Sequence, residues 1–272
     1  MKIGVVAPAR GITRELATRV AGLAALTLPQ VDLAFHEQCF AGLGHFAGDD
    51  ATRAAAFLEV ANDPATQAMW FARGGYGADR IVDTVMAGLG PAAAAKRYLG
   101  YSDLGFLLGA LYARRIGRVA HGPMAGDLGA TGRGDAAVVR ALGWLAGAAG
   151  EIEPGLAGRP AAAFNLSILT ALIGTPWLPD LTDHVVLIEE VGEPLYRIDR
   201  MLFTLAHAAQ LKGIAGLRLG GVTDIQPNDP PWSGGDAEAL VRHWAGVMGV
   251  PYLGRAAVEH GRDNHVVPFG VA

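Results

Sequence analysis

The chain has 272 residues, 51% apolar and 18% charged, with a net charge of −4 and a pI near 6.0. That is the composition of a globular protein long enough for one large unit or two smaller ones, and it excludes an intrinsically disordered chain. The acidic balance excludes the basic excess that binds nucleic acid or an anionic membrane non-specifically, and the single cysteine, Cys39, excludes an internal disulfide and a cysteine-based zinc cluster.

Residues 2–7 read as a buried first strand, since their apolar run is too short for a signal-peptide core. Residues 11–25 follow a helical pattern, with Thr13 as N-cap ahead of Arg14 and Glu15. A strand over 31–35 precedes an amphipathic helix over 49–62, where Ala54, Phe57, Leu58 and Ala61 share a face and Asp49 or Asp50 caps the start. Strand 68–72 runs into "RGGYG" (73–77), then come helix 78–86, strand 98–101 and helix 104–115. Strand and helix alternate throughout, which predicts a parallel sheet covered on both faces.

A helix over 135–145 follows, and residues 146–163 are rich in Gly, Ala and Pro. The predicted organisation is a first unit over 1–148, a linker over 149–163 and a second unit over 164–272. The second unit reads as helix 166–172, strand 184–189, helix 198–211, strand 214–220, helix 236–248 and a short tail from Pro251. The longest apolar stretch, 161–178, contains Asn165, Ser167, Thr170, Thr175 and Pro176, and reads as a buried helix ending at Gly174 rather than a membrane span.

Three segments offer chemistry. "GYSD" (100–103) places Ser102 between a strand and a helix, where a nucleophile elbow would hold it and helix N–H groups would face developing negative charge. It lacks the second glycine of the hydrolase pattern, and Ser102 or Asp103 in that place equally serves as a helix cap. "RGGYG" has the backbone freedom to present bare N–H groups to an anion, or simply to turn tightly. In the third segment an apolar run ends in Glu189-Glu190; a carboxylate there orients a histidine, is solvated, or pairs with Arg197 or Arg200. Of eight histidines, His121 falls in a loop reading "HGPM" and His260 in a polar turn, "VEHGRDN". No pair has HExxH spacing, so a metal site has little support.

Taken in order, "RGGYGADRIVD" (73–83), "GYSD", "HGPM", "LIGTPWLPD" (172–180) and "IEEVGEPLYRIDRML" (188–202) resemble the LD-carboxypeptidases, or muramoyltetrapeptide carboxypeptidases, across nearly the whole chain. The resemblance implies an α/β fold: a Rossmann-like N-terminal lobe with a parallel sheet, a smaller C-terminal α/β lobe, and a catalytic cleft between them. It implies a serine peptidase in which Ser102 is the nucleophile, Glu189 orients the histidine and His260 is the general base. The backbone N–H groups of Gly75 and Asp103 would form the oxyanion hole. Arg73, Gly74, Tyr76 and Arg262 would bind substrate, with Arg73 or Arg262 taking its free carboxylate.

The substrate implied is a murein tetrapeptide, cut between meso-diaminopimelate and terminal D-alanine in cell-wall recycling. No cofactor, metal, nucleic-acid or membrane partner is implied; a cytoplasmic homodimer is. Relatives in the same superfamily hydrolyse microcin-type peptidyl-nucleotides, an alternative substrate, and a homologue that binds peptide with little turnover is another reading. The chain departs from the family pattern at Ala9, at Ala163-Phe164 and at Glu259, beside the histidine.

Overall fold

Two sheets organise the computed structural model, which describes residues 1–129, 135–148, 152–156, 158–261 and 263–271. The first half supplies β1 (Lys2–Val6), α1 (Arg14–Thr27), β2 (Asp32–Phe35), α2 (Asp50–Asn62), β3 (Ala68–Phe71), α3 (Val82–Gly88), β4 (Arg97–Gly100), α4 (Gly105–Ala113), β5 (Arg118–His121) and α5 (Asp135–Ala146). The second half supplies β6 (Ala161–Asn165), α6 (Leu166–Leu172), β7 (Val185–Val191), α7 (Leu195–His207), β8 (Gly216–Thr223), α8 (Ala237–Met248), β9 (Tyr252–Arg255) and β10 (Val267–Pro268). The six-stranded sheet has the order β10-β5-β4-β3-β1-β2 and is parallel except for β10. The four-stranded sheet, β6-β7-β8-β9, is parallel throughout. The protein is therefore α/β with a parallel-sheet N-terminal lobe and a second parallel sheet in a C-terminal lobe.

Local chemistry accounts for many of the boundaries. Thr13 Oγ1 accepts the Leu16 N–H, Asp49 Oδ1 that of Thr52 and Asp236 Oδ1 that of Ala239, so α1, α2 and α8 each begin at a side-chain cap. Such a cap contributes about 1 kcal/mol. The central strand β3, Ala-Met-Trp-Phe, is buried at every position, as a strand covered on both faces must be.

Three parts of the chain depart from the sequence expectation. His121, expected in a loop, is the last residue of β5; four residues after a charged turn give too little periodicity to reveal a strand. Residues 161–165, expected to finish the linker and begin a helix, are β6, and only from Leu166 is the chain helical. An Ala-rich segment has no strand propensity of its own, and pairing with β7 overrides it. The linker expected through 163 thus gives way to sheet at Ala161.

The tail is the third. It forms β9, then returns to the first sheet as β10, antiparallel to β5 with Val267 opposite His121. Gly270 then bridges to Ala161 of β6. The second unit therefore donates a strand to the first sheet, and one apolar core runs from Leu104, Leu107 and Leu111 to Phe164, Leu166 and Leu169. Among the described residues no helix is long and apolar enough to cross a membrane.

Candidate active site

Ser102 lies just past the end of β4, in a short turn (Ser102–Leu104) that leads into α4. Its φ is +60°, in the left-handed region that non-glycine residues avoid, at a cost of order 1–3 kcal/mol. A strained serine between strand and helix is the geometry of a nucleophile elbow. The capping alternative does not hold: neither the turn nor α4 has a side-chain cap. Gly100 is needed for packing, because a Cβ there would stand 2.5 Å from Phe71 Cδ2.

Asp103 points away from the helix. Its buried carboxylate accepts the Ala78 N–H at 2.9 Å and so ties the serine turn to the glycine loop. Burial pushes its pKa up to about 6, opposed by the loop N–H groups and supported by the nearby charge of Asp79. The glycine loop is held from the other side as well. Arg53, fully buried, donates to the carbonyls of Gly77 (2.7 Å) and Pro8 and pairs with Asp50. A Cβ on Gly74 would stand 3.1 Å from both Cβ and Oγ of Ser102, and one on Gly75 (φ +133°) 2.5 Å from the Arg10 side chain. The loop thus runs directly over the serine.

The second half of the chain supplies an acid and a histidine. Successive residues of β7 face opposite ways, and the pair Glu189-Glu190 divides accordingly. Glu189 Oε2 bonds His260 Nδ1 at 2.7 Å. Glu190 accepts the N–H groups of Ser167 and Val191 and the Asn165 amide, each at 2.8 Å. Neither pairs with Arg197, which bonds Glu193 instead.

The loop carrying His260 is tied down over long sequence distances. Gly221 N–H donates to Val258 O at 2.8 Å, and Ala257 N–H to Glu153 Oε2 at 3.1 Å. Glu153 is itself buried and paired with Arg218 at 3.0 Å. Gly220 permits the approach: a Cβ there would stand 2.2 Å from Val258 O and 3.0 Å from Glu189 Cβ. Glu259 folds back over Gly221 and Gly261 and accepts the Asp263 N–H at 3.2 Å.

Ser102 and His260 meet at one cavity of about 420 Å³, lined from the first half by Gly74, Gly75, Ser102 and Met124 and from the second by Val191 and His260. The His260 ring also packs on Tyr101, centroids 4.8 Å apart. Among the described residues His260 bonds Glu189 and no hydrogen bond joins it to Ser102. Arg73 lines the cavity. Tyr76 does not: it is half exposed and packs with Phe46 and His45. Arg262 lies outside the described residues.

The sequence reading missed Arg10 and Asp127, which also line the cavity. Asp127 accepts the Tyr101 O–H at 3.0 Å and the Met124 N–H at 2.8 Å, fixing the cavity wall. Among the described residues no carboxylate pairs with Arg10 or Arg73. The available signal for Arg10 was its place just beyond a parallel strand, at the sheet edge where ligands gather.

Residues 3–122 match the LD-carboxypeptidase N-terminal domain and residues 161–272 the LD-carboxypeptidase C-terminal domain. The murein tetrapeptide carboxypeptidase of Pseudomonas aeruginosa is 26% identical over 290 aligned residues, covering 99% of this chain and 91% of that protein. In three dimensions the chain is similar to muramoyltetrapeptide carboxypeptidase from Oxalobacter formigenes, with a TM-score of 0.82 at 21% identity over 99% of this chain and 93% of the other. Its fold is also similar to that of MccF in complex with glutamyl sulfamoyl guanosine, with a TM-score of 0.79 at 16% identity over 99% and 91% of the two chains. With both domains matched in order, the chain belongs to the LD-carboxypeptidase family.

Proposed function

We propose that this protein is a serine LD-carboxypeptidase that releases the terminal D-amino acid of a murein tetrapeptide. One observation carries the reading: a buried Glu189–His260 pair and a strained Ser102 open on the same cavity from opposite halves of the chain. Glu189 accepts from His260 Nδ1, which leaves Nε2 as the basic nitrogen. Substrate binding brings Ser102 Oγ within reach of it, since catalytic contacts commonly tighten only in the complex. His260 takes the serine proton as Oγ attacks the penultimate carbonyl, and the N–H groups of Gly75 and Asp103 hold the oxyanion. The proton then passes to the departing amine, and a water, activated by His260, releases the acyl group.

Arg73, with Arg10 beside it, meets the terminal carboxylate. Two cations in one cavity, with no carboxylate partner among the described residues, suit a substrate whose cleaved end is anionic. The cell-wall recycling role, cytoplasmic location and homodimer belong to the same reading, through the family resemblance. The test is D-alanine release from purified murein tetrapeptide by wild type and Ser102→Ala. Wild type is expected to release it, with kcat falling by about a thousandfold or more in the variant. Cleavage of a peptidyl-nucleotide but not of the tetrapeptide would move the substrate to the microcin type. Equal release by both proteins would remove Ser102 from the chemistry.

A further inference from the structure

The "HGPM" segment has no part in the reaction above, yet it is built into the same site. His121 ends β5, with Gly100 of β4 opposite on one side and Val267 of β10 on the other. Its ring is fully buried, and among the described residues neither Nδ1 nor Nε2 has a hydrogen-bond partner. Tyr101 touches both imidazoles, its centroid 5.4 Å from His121 and 4.8 Å from His260. Glu189, meanwhile, spends Oε2 on His260, and its buried Oε1 has no partner among the described residues. Buried polar atoms are almost always bonded, so the donor left over on His121 and the acceptor left over on Glu189, whose charge reaches the His121 ring, call for an explanation.

Burial pushes the His121 pKa down to about 4, and the nearby His260 adds to that push, against the pull of the Glu189 charge. The ring is therefore neutral at pH 7, with one N–H to donate. The Glu189 carboxylate, for its part, turns about a soft terminal bond and is not held square by one hydrogen bond alone.

We propose that His121 is a positioning residue of the active site: its ring N–H serves the Glu189 oxygen that His260 leaves unused, through one enclosed water. Held at both oxygens, the carboxylate presents Oε2 to Nδ1 in a single orientation, and His260 keeps the tautomer that a general base needs. The inference rests on the triad reading above.

The test is nitrogen-15 histidine NMR on the resting protein, joined to kinetics. Wild type is expected to show His121 as one neutral tautomer with an exchange-protected ring N–H, and a low-field resonance for His260 Nδ1–H. In His121→Phe that resonance shifts or broadens, and kcat falls by about tenfold or more while KM stays within about twofold. His121→Gln, which keeps a donor, recovers most of both. A folded His121→Phe protein with an unmoved resonance and kcat within about twofold of wild type would overturn the proposal. So would a wild-type spectrum with two His121 tautomers in exchange, an outcome that needs no variant to fold. The spectra require no turnover. A wild type with the expected spectrum and no carboxypeptidase activity would sink the functional reading and leave the role of His121 supported.

Discussion

The two halves of the candidate site are built in different ways. The serine side is compact in sequence: the glycine loop follows β3, Ser102 follows β4, these strands are neighbours, and Asp103 bonds Ala78 across the gap. The glutamate–histidine side is assembled from afar. Glu189 and His260 are 71 residues apart, and the His260 loop is tied to Glu153 across 104 residues. A turn places the serine and stores strain in doing so. The histidine is placed by closure of the whole fold. Displacing the backbone on the serine side should therefore stay local, while displacing it on the histidine side should reach both activity and stability.

After Ser102→Ala, the largest expected effect is that of Glu189→Gln. The amide keeps the shape but no longer favours the Nδ1–H tautomer, so kcat should fall by about 10⁴-fold with the fold intact. Retention of activity within about tenfold would remove Glu189 from the triad.

Next comes a matched pair of glycine variants. Gly220→Ala drives a Cβ against the backbone oxygen of Val258, which only movement of the His260 loop relieves. It should cost about 1–3 kcal/mol of stability and, with a displacement near 1 Å, about a hundredfold in kcat. Gly74→Ala meets side-chain atoms at 3.1 Å and needs a shift of a few tenths of an ångström. It should lose about tenfold in kcat with little change in Tm. Thermal melts and kinetics on both variants check this, and equal effects would erase the contrast.

A smaller effect concerns pH. The Asp103 pKa rises to about 6 from an ordinary 3.8. The folded state thus holds a proton that the unfolded state has lost, and stability falls as pH rises between those values. Asp103→Asn lacks this slope, so between pH 4 and pH 7 its stability should gain on wild type by up to about 3 kcal/mol. Parallel denaturation curves at both pH values would show that Asp103 is not protonated by folding. The smallest effect is expected of Arg10→Ala, since Arg10 is exposed: a rise in KM of about threefold to tenfold, shrinking at high salt, with kcat unchanged.

Legibility followed the range of the interactions. Helices with a cap and a buried face, such as α1 and α2, could be read because both signals lie within one short segment. β5 and β6 could not. The first is only four residues long, and the second has the composition of a helix, so pairing with neighbouring strands decides both. In the site, Ser102, Gly74 and Gly75 announced themselves by their place after strands. Arg10 shares that kind of place, beyond β1, but an arginine there looks the same whether it faces solvent or a cavity, and Asp127 lies too far past β5 to carry the signal.

By itself the sequence determined the alternation of strand and helix, the family, and three residues worth joining: Ser102, Glu189 and His260. The alternation rests on residue type and local spacing, and the family and the three residues on the resemblance of motifs in order; both survive without coordinates. Only the tertiary structure decided that β10 closes the first sheet, that Glu189 rather than Glu190 faces the histidine, and that His121 lies buried behind them. Each of these depends on which face of a strand meets which neighbour, and a shift of one residue reverses that. Pairing across the two halves of the chain sets that register, and short-range patterns carry no record of it.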